Sequence, residues 1–171
     1  MNNSNSKMEE LMKRFALAAF ALAFFLAPAA PAAAHCQIPC GIYDDELRVQ
    51  LIEEHITTVE KSMNQIVALG KASPVDYNQL VRWVNNKEEH AQKIQDIVTA
   101  YFMAQRIKPP KDHSDEEAMN EYLHKLALLH HIQVHSMKAK QSTDLEQIAT
   151  LRTLVEKFSK AYFGEEGEHA H

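Results

Sequence analysis

Turn-forming residues are scarce in this chain, with four Gly and six Pro among 171 residues, and Pro28, Pro31 and Pro39 all fall near the start. The chain beyond position 40 is therefore poor in the residues that make tight turns, which excludes many short strands and favours long helices. Cysteine is nearly absent. Cys36 and Cys40 are the only two, four positions apart, so no disulfide framework can organise the fold. Basic charge is not in excess either: 18 Lys and Arg face 23 Asp and Glu, which offers no cationic surface for nucleic acid. No internal repeat is evident. The length suits one domain once any targeting segment is set aside.

The N-terminus reads as such a segment. Residues 1–14 are polar and end in Lys13-Arg14; an unbroken apolar run extends from Phe15 to Leu26, then Ala/Pro-rich sequence to Ala34. A basic start, a dozen apolar residues and a small-residue end, Ala32-Ala33-Ala34, are the parts of a secretory signal peptide. The run is shorter than the roughly 20 residues of a membrane-spanning helix. There is no twin-Arg pair, so the general export route is expected, with a peptidase cutting after Ala34. The alternative is an uncleaved anchor. The leader carries Lys7, Lys13 and Arg14 against Glu9 and Glu10, so its loss takes the formal charge from −5 to −6 and leaves a chain that begins His35-Cys36. No membrane contact is expected of that mature form.

Beyond Tyr43 the pattern is helical. Asp44 can cap a first helix with Leu47, Leu51, Ile52, Ile56, Val59, Met63 and Ile66 at three-and-four spacing, and Gly70 can end it. Ser73-Pro74 opens a second through Leu80, Val84, Ala91, Ile94, Val98 and Tyr101, which Pro109-Pro110 must break. Ser114-x-x-Glu117 reads as a capping box for a third helix, with Leu123, Leu126, His130, Val134 and Met137 on one side. Thr143-x-x-Glu146 reads as another, for a fourth helix through Ile148, Leu151, Val155, Phe158 and Tyr162. The expected organisation is a removed leader (1–34), an irregular N-terminal metal hook (35–43), an all-α, antiparallel four-helix bundle (44–163) and a frayed, acidic, His-containing tail (164–171).

Residues 35–40 carry the chemistry. With its α-amine free, His35 supplies a nitrogen donor that no internal residue has. The next backbone nitrogen, that of Cys36, closes a five-membered chelate ring with it, and the Cys36 thiolate closes a second. Cys40, returned by a turn at Pro39-Gly41, completes four donors. Two nitrogens and two thiolates in a plane suit Ni(II) or Cu(II) better than tetrahedral Zn. The His35 imidazole is left as an axial ligand. Anionic thiolate and amide donors stabilise a higher oxidation state, which brings a one-electron Ni(II)/Ni(III) cycle within reach. Loading should release protons.

The run His35-Cys-x-x-Pro-Cys-Gly-x-Tyr43 resembles the hook motif of nickel superoxide dismutases. The Arg82…Lys87-Glu-Glu-His-Ala91 and Lys108-Pro-Pro110 stretches are similar to that family too. The resemblance implies a four-helix bundle assembling as a homohexamer, one nickel ion per subunit, and dismutation of superoxide to oxygen and hydrogen peroxide. It implies metal ligands His35, Cys36 and Cys40, catalytic roles for His35 and Tyr43, and Pro39 shaping the hook through a cis peptide. Tyr43 would order water at the open axial face and limit access of larger ligands. Glu53 or its neighbour Glu54 would be the carboxylate partner of the axial imidazole. Three departures stand out. Gln37 replaces a frequent Asp, His90 falls where some members have an Arg that helps hold the imidazole, and the leader is long and of export type. Export to the periplasm or beyond is expected from that leader, and a cytoplasmic location if it is only a processing pro-peptide.

Blander readings compete. The two cysteines could close a small disulfide in an oxidising compartment, or the hook could serve an exported metal buffer without catalysis. Glu121-x-x-His124 is half of a di-iron bundle motif without its second half. His131 and His135, with His130 beside them, share a helix face and could hold a second metal. Trp83 is expected in the core or a subunit contact.

Overall fold

The computed structural model describes residues 12–14 and 44–164. Residues 12–14 are helical and belong to the first of two units, Met1–Ile38; the second unit is Pro39–His171. The described part of the second unit is helical, with no strand, as expected. Its elements are α1 (Asp45–Gly70), α2 (Tyr77–Asp96) running on as a π-helical stretch (Ile97–Arg106), α3 (Glu116–Gln141) and α4 (Glu146–Phe163).

Local chemistry accounts for most of the ends. The Asp44 carboxylate accepts from the backbone N–H of Glu46 at 2.9 Å and of Leu47 at 3.3 Å, satisfying two of the free donors at the start of α1. Gly70 is the last residue of that helix. The second helix starts later than Ser73-Pro74, because Asp76 provides the cap, accepting from Gln79 N at 3.1 Å. Both expected capping boxes give way to a neighbouring aspartate. Asp115, not Ser114, caps α3 by accepting from Ala118 N at 3.0 Å, while Ser114 Oγ is spent on Asp112 at 2.6 Å. At α4, Asp144 rather than Thr143 accepts from Glu146 N, at 3.0 Å. A carboxylate takes both a charge-assisted hydrogen bond and the attraction of the helix N-terminus, which a hydroxyl takes less well.

Cross-helix partners show that neighbours run in opposite directions. Along α1, Asp45, His55 and Ser62 meet Tyr101, His90 and Asn86 of the second helix, in reversed order. Gln95 and Lys87 meet Gln133 and Ser142 at the two ends of their contact with α3. His135 of α3 meets Gln147 of α4, and Asp45 and Glu60 of α1 meet Tyr162 and Arg152 of α4. The result is an antiparallel four-helix bundle. Its core includes Ile52, Ile56, Val59, Met63, Ile94, Val98, Phe102, Leu129, Ile132, Leu151, Val155 and Phe158, all with little or no exposure.

One helix faces inward with a different stripe from the expected one. Leu123 is 51% exposed and Met137 41%, and His130 is exposed as well. The buried side of α3 is Leu128, Leu129, Ile132, Ser136 and Ala139. This helix is apolar on two sides, so periodicity alone does not choose between them. Packing against α2 does, where Gln95 and Gln133 each donate a side-chain amide to the other's backbone carbonyl at 3.1 and 2.9 Å.

Lys87 closes the other end of that contact. It is buried, and its ammonium donates to the carbonyls of Ala139 and Ser142 at 3.1 Å each and to that of Lys140. A cation among the free carbonyls at a helix C-terminus is favoured by both the hydrogen bonds and the dipole. Lys87→Met keeps the stem and removes the donors. It should destabilise the bundle by about 2–4 kcal/mol in urea unfolding, on the usual worth of charge-assisted hydrogen bonds and the cost of orphaned carbonyls. A loss below about 0.5 kcal/mol, the usual scatter of surface substitutions, would show that water replaces the ammonium at no cost.

Candidate metal centre

His35, Cys36, Pro39, Cys40 and Tyr43 lie outside the described residues, so their case rests on the chemistry of the donor set. With His35 at a chain start, that set would fit nickel: an amine, an amide nitrogen, two thiolates and an imidazole, within six consecutive residues. What the structure describes is the ground into which the hook is rooted, the first turn of α1.

That root is gathered by one carboxylate. Asp44 faces its own helix as a cap; Asp45 faces the bundle. Tyr101 donates its hydroxyl to Asp45 Oδ1, Tyr162 donates to Oδ2 at 2.7 Å, and Arg106 Nε donates to Oδ2 at 2.9 Å with Nη2 donating to the same oxygen. Arg106 Nε also reaches the Tyr162 oxygen at 3.2 Å. Three helices therefore meet at Asp45. The π-helical stretch makes this possible. Five residues separate Tyr101 from Arg106, which on an α-helix would set them about 140° apart. Wider π turns, seen in the Ile107 N to Phe102 O bond of 2.9 Å, bring both to the same carboxylate.

Electrostatics follow the geometry. Burial works against ionisation of Asp45, but the donors Tyr101, Tyr162 and Arg106 outweigh it and hold its pKa below the ordinary value. Burial first, and then the hydrogen bond to Asp45, push Tyr101 up to about 12. Beside the cluster lies a cleft of about 300 Å³ lined by Arg106, Lys108, Pro110, Tyr122, Lys125 and Tyr162 among others, so the Lys108-Pro-Pro110 stretch borders the same end of the bundle.

Further along α1, His55 Nδ1 lies 3.1 Å from His90 Nδ1, the rings nearly perpendicular. One imidazole must carry its proton there and the other accept it. Glu53 is exposed on α1; it is the neighbouring Glu54 whose charge acts on both imidazoles. Among the described residues the other histidines form no metal-binding group. His135 Nδ1 pairs with Gln147 Oε1 at 2.9 Å, and the His130 and His131 ring centroids are 6.3 Å apart and tilted. Glu121, of the di-iron fragment, is taken up by Lys125. Among the described residues no group of three or more His, Cys, Asp or Glu could hold a metal ion. Trp83 is half-buried, with Lys61 Nζ 5.9 Å from its ring centroid.

Comparison with known families decides the assignment. The family of nickel-containing superoxide dismutases matches residues 30–166, which take in the hook and all four helices. The chain belongs to that family. It is a nickel-containing oxidoreductase acting on superoxide. No curated protein and no solved structure matches it.

Several residues of this superoxide dismutase escaped the sequence reading. Asp45 was not singled out at all, and Tyr101 read only as part of an apolar stripe. The Asp44-Asp45 doublet held a usable signal, since one carboxylate is enough for a cap. Nothing local announced His55, whose partner is 35 residues away.

The histidine pair gives a pH prediction. Burial is the largest cause holding both imidazoles below the ordinary value; His90 and then Lys93 add to it for His55, and Lys93 for His90, while Glu54 and Glu89 oppose. The unfolded chain therefore takes up protons that the folded chain refuses. This contribution to stability is full above about pH 6.5 and declines as the pH falls below it. The melting temperature should drop more between about pH 7 and about pH 5 in the wild type than in His55→Gln. Parallel curves would mean that the pair does not titrate as described.

Proposed function

We propose that nickel is bound at a new N-terminus made by cleavage between Ala34 and His35. The α-amine and imidazole of His35, the amide nitrogen and thiolate of Cys36 and the thiolate of Cys40 would be its donors. One coincidence carries the reading. The small-residue end of an export-type leader and the first residue of the hook motif meet at the same peptide bond, and two independent features of the sequence choose it. The family match supports nickel as the metal, and its span, residues 30–166, includes the hook.

When bound, nickel supplies a one-electron Ni(II)/Ni(III) couple, able to take an electron from one superoxide and give one to the next. The residues of the chain have other tasks. The amine of His35 and the amide nitrogen and thiolate of Cys36 would hold the metal in two fused chelate rings, and the thiolates would bring the anionic charge that favours the oxidised metal. Pro39 and Gly41, as turn-forming residues, would let Cys40 join the same donor set. Tyr43 would order water near the metal and limit access of larger ligands. Each peroxide formed takes up two protons, which thiols, ordered water or backbone near Tyr43 would carry. Thiolates beside peroxide are open to oxidation, so the hook is also the enzyme's chemical weak point.

The processed chain is exported, cut by a leader peptidase, and assembles as a homohexamer. Exposed apolar side chains support the assembly: Tyr77 and Val81 on α2, Leu123 and Met137 on α3. Among the described residues no helix is long and apolar enough to cross a membrane; the apolar run 15–26 lies outside them.

The test is a dismutase assay on the nickel-loaded, processed protein. Cys36→Ser and Cys40→Ser should each reduce turnover to the level of free nickel, while far-UV circular dichroism stays that of the wild type. Full activity in either variant would contradict the donor set.

A further inference from the structure

The Asp45 cluster stands closer to the hook, along the chain, than any other tertiary contact of the described residues. Cys40 is five residues upstream, so its Cα lies within about 18 Å of that of Asp45 even if the chain between them is fully extended. Everything that fixes the hook through the backbone must pass through this root. The bundle itself has other means of closing at this end. Phe102 packs edge-on against Phe158 at 4.9 Å and Tyr162 at 5.6 Å, and Phe158 stacks on Tyr162 at 5.5 Å. These contacts join the second helix to α4 without α1. What Asp45 adds is the attachment of the first turn of α1, and it adds it with a carboxylate only 14% exposed that accepts from three side chains on two other helices.

We propose that Asp45 is a positioning residue for the nickel hook. Its carboxylate, gathered by Tyr101, Arg106 and Tyr162, anchors the first turn of α1, through which the backbone of the hook joins the bundle, and so governs how firmly the hook holds nickel. The proposal rests on the donor assignment above. Asp45, Tyr101 and Arg106 touch neither metal nor substrate in this scheme; they act through the backbone of the hook. The π-helical stretch has its purpose here, since a regular α-helix would point either Tyr101 or Arg106 away from the root.

The test compares wild type, Asp45→Ala, Asp45→Asn, Tyr162→Phe and Cys36→Ser as full processed proteins. Two measurements are made: nickel release to excess EDTA after loading, and amide hydrogen exchange of the metal-free proteins over residues 36–43 and over residues 50–60 of α1. Outer partners of metal ligands typically change metal affinity by about 10- to 100-fold. Nickel release should therefore quicken by about tenfold or more in Asp45→Ala, and by less in Asp45→Asn and Tyr162→Phe, which keep part of the cluster. Exchange over 36–43 should quicken in Asp45→Ala while that over 50–60 stays at the wild-type rate, a pattern that general destabilisation does not give. Equal quickening over both segments, or wild-type nickel release in Asp45→Ala, would overturn the proposal. Asp45→Asn and Tyr162→Phe decide the same question if Asp45→Ala fails to fold. Cys36→Ser separates the two readings. If it loses nickel while the Asp45 variants retain it, the donor set stands and the positioning role alone falls. If it keeps nickel as the wild type does, the metal is not at the hook and both fall.

Discussion

A donor set that begins with an α-amine can be tied to the rest of its protein on one side only. In the donor set proposed above the amine would exist because the chain ends there, so no backbone would precede it to hold it in place. All covalent guidance would then come from the other side, where the chain enters the first turn of α1. Two adjacent aspartates divide the work at that point. Asp44 satisfies free N–H groups of its own helix, and Asp45 draws a guanidinium and two phenol hydroxyls from the ends of the second and fourth helices. Ordering a six-residue ligand around a metal carries an entropy cost, and a fixed root would lower it.

The same constraint explains why so large a helical domain accompanies so small a site. Chelation alone needs only a short peptide. A bundle offers rigid helix ends at fixed separations, and its interior here is filled by branched and aromatic side chains with little or no exposure. Buried and half-buried polar groups are matched where they bear on the architecture: Lys87 with the carbonyls at the end of α3, Gln95 with Gln133 across the helix interface. The π-helical stretch is the place where regular geometry is given up, and it lies beside the root of the hook.

Much of this was legible in the sequence, for identifiable reasons. The first helix could be read to the residue because its start signal, Asp44, and its end signal, Gly70, are local. The donor set could be read because it depends on chain order alone: an amine, the next amide and two thiols within six residues. The family match bears out the enzyme class and the metal, while the individual donors lie outside the described residues. Legibility failed where partners are distant or a choice was degenerate. Two apolar stripes on α3 left its buried face undecided. Ser114 and Thr143 looked like caps until neighbouring carboxylates were seen to hold those positions. Tyr101 and Arg106, five apart, belong to one face only because of π turns that no periodicity of 3.6 would suggest.

The central claim is that proteolysis creates the nickel ligand. The most direct measurement is intact mass and nickel content of the protein recovered from the compartment where it works, alongside a variant carrying one extra alanine between the cleavage site and His35. The account predicts a mature chain beginning at His35 with one nickel per chain, and loss of both nickel and dismutase activity in the extended variant. A working enzyme whose first residue is any other than His35, or an extended variant of full activity, would contradict it.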